Sequence, residues 1–126
     1  MTGYVGDKTT GFASPASDAI EGPIDLTEIL DLRRPSRYPV RVRGRTFFSR
    51  GILDGDVLIA DTAGQRASGQ LVIASVSGQP ILAELRLIKE RWWLVSGDDS
   101  SSPILVDPAL DVDIWACVTG VVREHP

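Results

Sequence analysis

The 126-residue chain has one cysteine, one histidine and no apolar run long enough to span a membrane. The single thiol, Cys117, excludes an internal disulfide and any zinc site built from several cysteines. It lies in the apolar run 114–118, which predicts a buried core thiol rather than a reactive one. Because no basic-then-apolar signal opens the chain, we expect a cytoplasmic protein with no membrane association.

The chain has fewer basic residues than acidic ones, 13 against 17. The formal net charge is −4, so general electrostatic attraction to nucleic acid is not expected. Carboxylates are plentiful, but no histidine stands near them and no EF-hand spacing occurs, so we expect neither a metal nor any other cofactor. They are better explained as turn and cap residues. These carboxylates are Asp54, Asp56, Asp98, Asp99, Asp107, Asp111 and Asp113.

The start of the chain differs in composition from the rest. Residues 1–23 are rich in glycine, proline and small polar residues, which predicts a flexible N-terminal arm ahead of one domain over 24–126. Asp25 and Glu28 are spaced as a capping pair, which predicts one short helix that reaches about Leu32 and is stopped by Pro35.

Strands are predicted from alternation and from short apolar runs. Val40 and Val42 alternate with arginines, which is typical of a half-buried strand, and the runs 57–60, 71–76 and 114–122 predict three more strands. The stretch 81–95 fits either a helix or strands, because its apolar residues also recur at helical spacing. Turn residues at 78–80 favour a hairpin around Lys89-Glu90-Arg91.

One segment carries a family motif. Residues 44–61 read GRTFFSRGILDGDVLIAD and resemble the nucleophile region of the LexA/UmuD self-cleaving serine–lysine peptidases. That family has Gly-x-Ser-Met, a short spacer, Gly-Ile and then Asp-Gly-Asp before an apolar strand. Here Thr46 stands at the serine position and Phe47 at the methionine position. Further on, where the family places its general-base lysine before a basic residue and a leucine, the chain reads Leu82-Ala83-Glu84-Leu85.

The resemblance extends over most of the chain. Residues 11–18 read GFASPASD and resemble the stretch after the UmuD self-cleavage bond, so Thr10 and Gly11 occupy the equivalent of that bond. Only ten residues precede Gly11, too few for a DNA-reading helix-turn-helix domain, so the chain is more similar to UmuD than to a LexA repressor. The resemblance implies a mainly β, compact fold of the LexA/UmuD C-terminal type and supports the hairpin within 81–95. Further matches fall at 24–26, 38–40, 61–63 and 102–104.

Two substitutions bear on catalysis. A serine attacks only when a base removes its proton, and a lysine is such a base only when desolvation keeps it neutral. Thr46 still offers a hydroxyl, but its methyl restricts χ1, and threonine nucleophiles usually rely on a free N-terminal amine. Ala83 carries no amine. Lys89 is expected to be solvated at a turn, and His125 lies beside the C-terminus, so we expect a degenerate dyad and an inactive pseudo-peptidase.

The resemblance also implies a function. In the family, the processed protein dimerises and joins a Y-family translesion polymerase in the SOS response to DNA damage. We therefore expect an accessory protein that binds as a homodimer to a UmuC-like Y-family DNA polymerase, with a RecA filament as a further partner. Two alternatives stay open. One is a working peptidase that uses Thr46 with an unidentified base, and the other is a regulatory module that forms mixed dimers with an active UmuD or LexA relative.

Two features are candidates for partner binding. Seven arginines fall within eighteen positions, and Arg41 and Arg43 could contribute to a patch for an acidic partner, although strand alternation alone also puts arginine on a solvated face. Few aromatic residues lie nearby for base stacking, so direct DNA binding is not expected. Trp92 and Trp93 are adjacent, so on a strand one faces the core and the other is a candidate interface anchor. The arginines are Arg33, Arg34, Arg37, Arg41, Arg43, Arg45 and Arg50.

Overall fold

The computed structural model describes residues 19–98 and 101–126. The chain divides into two units, 1–33 and 34–126. The predicted cut between an arm over 1–23 and a domain over 24–126 stays a prediction, because most of the arm lies outside the described residues. No helix in the described part of the chain has the length and apolar character needed to cross a membrane.

The first unit contains a single turn of helix, α1, over Leu26–Ile29. Asp25 caps it, because its side chain accepts a hydrogen bond from the Thr27 backbone amide at 3.0 Å. The predicted continuation to about Leu32 is wrong. Residues 30–33 form turns, and Asp31 has a left-handed φ of +50°, which a helix interior does not allow.

The second unit is built on an antiparallel sheet, which has seven strands in the described part of the chain. Across the sheet they follow the order β1-β2-β7-β3-β4-β5-β6. Short 3₁₀ helices lie at Phe48–Arg50 and Pro108–Leu110. The predicted mainly β fold with one short α-helix is confirmed. The strands are β1 Arg37–Arg41, β2 Val57–Asp61, β3 Leu71–Val76, β4 Gln79–Ile88, β5 Arg91–Val95, β6 Ile104–Leu105 and β7 Val112–Val122.

The three apolar runs located β2, β3 and β7 to within two residues. β3 has the predicted bounds, β2 extends one residue further and β7 begins two residues earlier. The ambiguous stretch is a hairpin, as predicted. Lys89 and Glu90 have φ of +50° and +66°, so they form a two-residue turn between β4 and β5.

Both faces of β3 are buried. Leu71 and Ile73 face one side, whereas Val72 and Ala74 face the other and belong to the main core cluster. The buried Cys117 thiol is confirmed, and burial raises its pKa, with the nearby Asp61 carboxylate adding to the effect. The main core cluster consists of Val72, Ala74, Ala83, Leu85, Leu94, Val112 and Cys117.

A β-bulge in β7 turns one aromatic side chain outward. Ile73 pairs with Ala116 and Ala74 with Ile114, so Trp115 is an extra residue between them. Trp115 is 43% exposed, and its ring centroid lies 5.6 Å from that of Tyr38 on β1. The bulge therefore builds an exposed aromatic pair on this face of the sheet.

Candidate functional site

Residues 42–56, which contain most of the motif segment, form a loop between β1 and β2 whose two ends are hydrogen-bonded to each other. Its base is fixed by two backbone bonds, since the Val42 amide donates to the Asp56 carbonyl at 2.8 Å and the Gly55 amide donates to the Val42 carbonyl at 2.9 Å. Within the loop, the Gly44 amide donates to Asp54 Oδ1 at 2.8 Å. Gly55 has a φ of +91°, which favours glycine at this turn. The Asp-Gly-Asp turn predicted from the sequence is confirmed.

An ion pair between a buried carboxylate and a more exposed arginine fastens this loop to the end of β7. Asp56 is only 1% exposed, and both of its carboxylate oxygens accept hydrogen bonds from Arg123, from Nε and Nη2, each at 2.7 Å. Arg123 Nη2 also donates to the Gly51 carbonyl at 2.8 Å. The Arg123 hydrogen bonds, together with one from the Leu53 amide, lower the pKa of Asp56 from its ordinary 3.8 to about 2.

The inner side of the loop is apolar and anchors it in the core. Phe47 and Ile52 are buried and pack with Leu58 and Leu71. Gly97, just after β5, makes room for the loop, because a Cβ there would overlap the Thr46 carbonyl oxygen and the Phe47 ring. Thr46 is thus held at the surface between a buried aromatic ring and the β5 end.

Thr46 lines a groove of about 700 Å³, called here the Thr46 groove. Arg41 and Arg43 are the titratable side chains among its described lining residues. A guanidinium stays protonated in proteins, so neither can accept a proton from the Thr46 hydroxyl. None of the described lining side chains therefore qualifies as a general base. The apolar lining includes Val40, Val42, Leu58, Ile73, Leu82 and Trp115.

The position expected to hold the lysine lies on the other face of β4. Ala83 is buried in the main core cluster, whereas its neighbour Leu82 lines the Thr46 groove. Side chains alternate along a strand, so the structure does not bring the Ala83 methyl into the groove with Thr46. Glu84, the next residue, is paired with Arg50 at 2.7 Å and with Arg86 at 2.6 Å. That Thr46 and Ala83 mark a degenerate dyad stays a prediction.

The other predicted site residues differ in whether the structure describes them and in whether they already have a partner within the chain. Thr10 and Gly11 lie outside the described residues. Arg41 donates to the Gly55 carbonyl at 2.9 Å and pairs with Glu124 at 3.1 Å. Arg43 lines the Thr46 groove, and its guanidinium makes no hydrogen bond or ion pair within the described residues. Arg43 is therefore available to a partner, whereas Arg41 is already engaged.

The tryptophan pair divides between two faces, as predicted. Trp92 packs against the main core cluster. Trp93 points to the opposite face of β5 and lines a second cleft. Trp93 is therefore the candidate interface anchor of the two.

Asp54 and Asp107 serve a turn and a cap, as predicted, whereas Asp113 lies within strand β7. Asp54 bonds to Gly44 as described above, and Asp107 accepts a hydrogen bond from the Ala109 amide at 3.0 Å. Asp99 lies outside the described residues. Within the described ranges, no group of three or more His, Cys, Asp or Glu side chains is placed to hold a metal ion.

Sequence reasoning missed two residues that shape the site. Arg123 lies 67 positions from Asp56, so no local pattern links the two. Trp115 reaches the Thr46 groove because of a bulge that periodicity does not reveal. Its one available signal is that Trp115 is the aromatic residue of this strand.

Acid is expected to destabilise the protein through Asp56. A carboxylate with a lowered folded-state pKa adds stability above its unfolded value near 3.8, and this contribution is lost as pH falls through about 2. The free energy of unfolding, measured by urea denaturation between pH 7 and 2, should therefore decrease once the pH is lowered past about 4. Asp56→Asn should lower it at pH 7 and flatten the acid decline, leaving the part due to Asp61, whose pKa is also lowered.

Asp113→Asn is the matched control, because Asp113 is an exposed aspartate on the neighbouring strand β7. It should retain the wild-type acid decline. An unchanged decline in Asp56→Asn would contradict the assignment to the Asp56–Arg123 pair.

Comparison with known proteins places this chain in a family. Residues 3–119 match the family described as Peptidase S24-like. MucA of Salmonella typhimurium is 31% identical over 125 residues, which cover 98% of this chain and 84% of MucA, and MucA of Escherichia coli gives the same values. The LexA repressor of Bordetella parapertussis is 28% identical over 122 residues, which cover 97% of this chain and 56% of the repressor. The chain belongs to the Peptidase S24-like family, the LexA/UmuD family that its motif resembles.

Proposed function

We propose that this protein is a catalytically inactive UmuD-like accessory protein of the SOS response, which acts in the cytoplasm by binding other proteins. The Thr46 groove carries this proposal, because its described lining offers no proton acceptor. Ala83 has no functional group, and Glu84 is held by two arginines. A hydroxyl without a positioned base loses most of its rate as a nucleophile.

The same groove supports a binding role. Its lining is largely apolar, and Trp115 adds an exposed ring that contacts Tyr38. Trp, Tyr and Arg are enriched at the centres of protein interfaces, and Arg43 lies beside this apolar surface without an ion-pair partner in the described chain. We infer that this face joins two copies into a homodimer. The dimer then binds a UmuC-like Y-family DNA polymerase, with a RecA filament as a further partner.

A regulatory role is the second candidate. An exposed aromatic pair on an apolar face can be buried by a related chain as well as by a second copy. A mixed dimer with an active UmuD or LexA relative would use the same surface. Identification of the proteins that bind in the host separates the two roles.

The wild-type protein is expected to remain uncut at Thr10–Gly11. Without a base, Thr46 cannot be activated, so incubation with a RecA filament or at alkaline pH should leave the intact mass unchanged. A self-cleaving LexA/UmuD peptidase treated in parallel is the positive control. A fragment that begins at Gly11 in the wild type and is absent in Thr46→Ala would show a working Thr46 peptidase and overturn the proposal.

Trp115→Ala is expected to weaken the homodimer at least tenfold, because it removes the exposed ring at the proposed interface. Sedimentation velocity over a concentration series measures the dimer dissociation constant. Trp93→Ala is the matched control, since Trp93 does not line the Thr46 groove, and it should dimerise like the wild type. A monomeric wild type, or equal constants for the wild type and folded Trp115→Ala, would contradict this interface.

A Y-family polymerase is expected to co-purify with the tagged protein from its own host after DNA damage. Mass spectrometry of the bound proteins tests this, with an unrelated tagged protein of similar charge as control. If a LexA- or UmuD-type peptidase is recovered without a polymerase, the regulatory role replaces the accessory role. If neither is recovered, the polymerase assignment fails.

A further inference from the structure

We propose that the end of the β4–β5 hairpin is a second binding surface, which takes a short acidic segment of a protein partner together with one bulky apolar side chain. The cleft there has a volume of about 450 Å³ and is lined by Ile88, Lys89, Arg91, Trp93 and Pro103. We call it the hairpin cleft. It shares no lining residue with the Thr46 groove. The proposal rests on the binding role proposed above but not on the homodimer or the lost dyad.

The apolar part of the hairpin cleft lies on the face of β5 that turns away from the main core cluster. Trp92 and Leu94 pack with that cluster, so Trp93 between them points to the other side. Core packing therefore does not account for a tryptophan at this position. Its ring lines an open cleft together with Ile88, itself an exposed apolar residue, and Pro103. A rigid aromatic surface of this kind is a typical anchor point for a partner's apolar side chain.

The charges at the cleft are cationic and uncompensated. The side chains of Lys89 and Arg91 make no hydrogen bond or ion pair within the described residues. Arg86 is opposite Trp93 on the neighbouring strand, but its guanidinium is already bound to Glu84. Glu90 is an exposed carboxylate at the tip of the turn and does not line the cleft. A partner's carboxylates would supply the acceptors that these two cations lack.

The size of the cleft and its aromatic lining favour a peptide over nucleic acid. A cleft of about 450 Å³ accommodates a bulky side chain and its neighbours, which suits a short segment rather than a packed domain. Single-stranded nucleic acid is bound by stacking successive bases on successive rings. Here Trp93 is the aromatic residue of the cleft, while Trp92 is turned to the core.

The test uses the full chain labelled with ¹⁵N and the indole N–H signals of Trp92, Trp93 and Trp115. The probe is a pentapeptide with a central phenylalanine and two glutamates on each side. The Trp93 signal should shift and saturate during the titration, whereas the Trp115 signal stays in place. The same peptide with glutamines in place of glutamates should bind at least tenfold more weakly, because it offers no carboxylate to Lys89 and Arg91.

The double variant Lys89→Gln/Arg91→Gln changes only exposed residues and should lower the affinity for the acidic peptide at least tenfold. Arg66→Gln is the matched control, an exposed cation in the β2–β3 connection, and should bind like the wild type. Equal binding of the two peptides, or no Trp93 shift at millimolar peptide, would overturn the proposal. Tighter binding of oligothymidylate at Trp93 would overturn it in favour of a nucleic-acid site. None of these outcomes depends on dimerisation or cleavage, so this surface and the proposed function can fail separately.

Discussion

The bidentate contact between Asp56 and Arg123 fixes the loop that carries Thr46 to the rest of the second unit. It joins the turn before β2 to the end of β7, and the same guanidinium reaches the Gly51 carbonyl inside the loop. A buried carboxylate left without its cation is strongly unfavourable, so the ion pair favours the loop arrangement seen here. Because the loop is fixed at Gly51 and at Asp56, Thr46 is held at one position on the groove. The placement of Thr46 therefore depends on a residue at the far end of the chain.

The residues that hold the loop in place are different from those that would be needed for peptide-bond cleavage. Asp54 and Asp56 close it by hydrogen bonds, and Phe47 and Ile52 bury its inner side. These contacts stabilise the folded loop whether or not a bond is ever cut. A hydroxyl at the surface and an amine on β4 are needed only for cutting. The family framework can therefore persist in a chain that, as we propose, has Thr46 and Ala83 at the two reactive positions.

Local sequence patterns predicted the features that depend on neighbouring residues, such as strand bounds and the face to which a side chain points. The bounds of β3 followed from its apolar run, and the division of Trp92 and Trp93 between two faces followed from strand periodicity. The hairpin turn was less certain, because Lys89 and Glu90 adopt positive φ without the asparagine or glycine that usually signals it. The bulge at Trp115 and the partner of Asp56 could not be predicted. Both are properties of strands that come together from distant parts of the chain.

The arginine cluster shows why a run of like charges does not by itself identify a binding surface. Arg37 pairs with Asp61, Arg41 with Glu124 and Arg50 with Glu84, so folding neutralises much of what the sequence displays as a patch. Within the described residues, Arg43 in the Thr46 groove and Lys89 with Arg91 in the hairpin cleft have no ion-pair partner. Each site also has an exposed or half-exposed tryptophan. Since the protein as a whole is acidic, local rather than total charge would draw an anionic partner to these two sites.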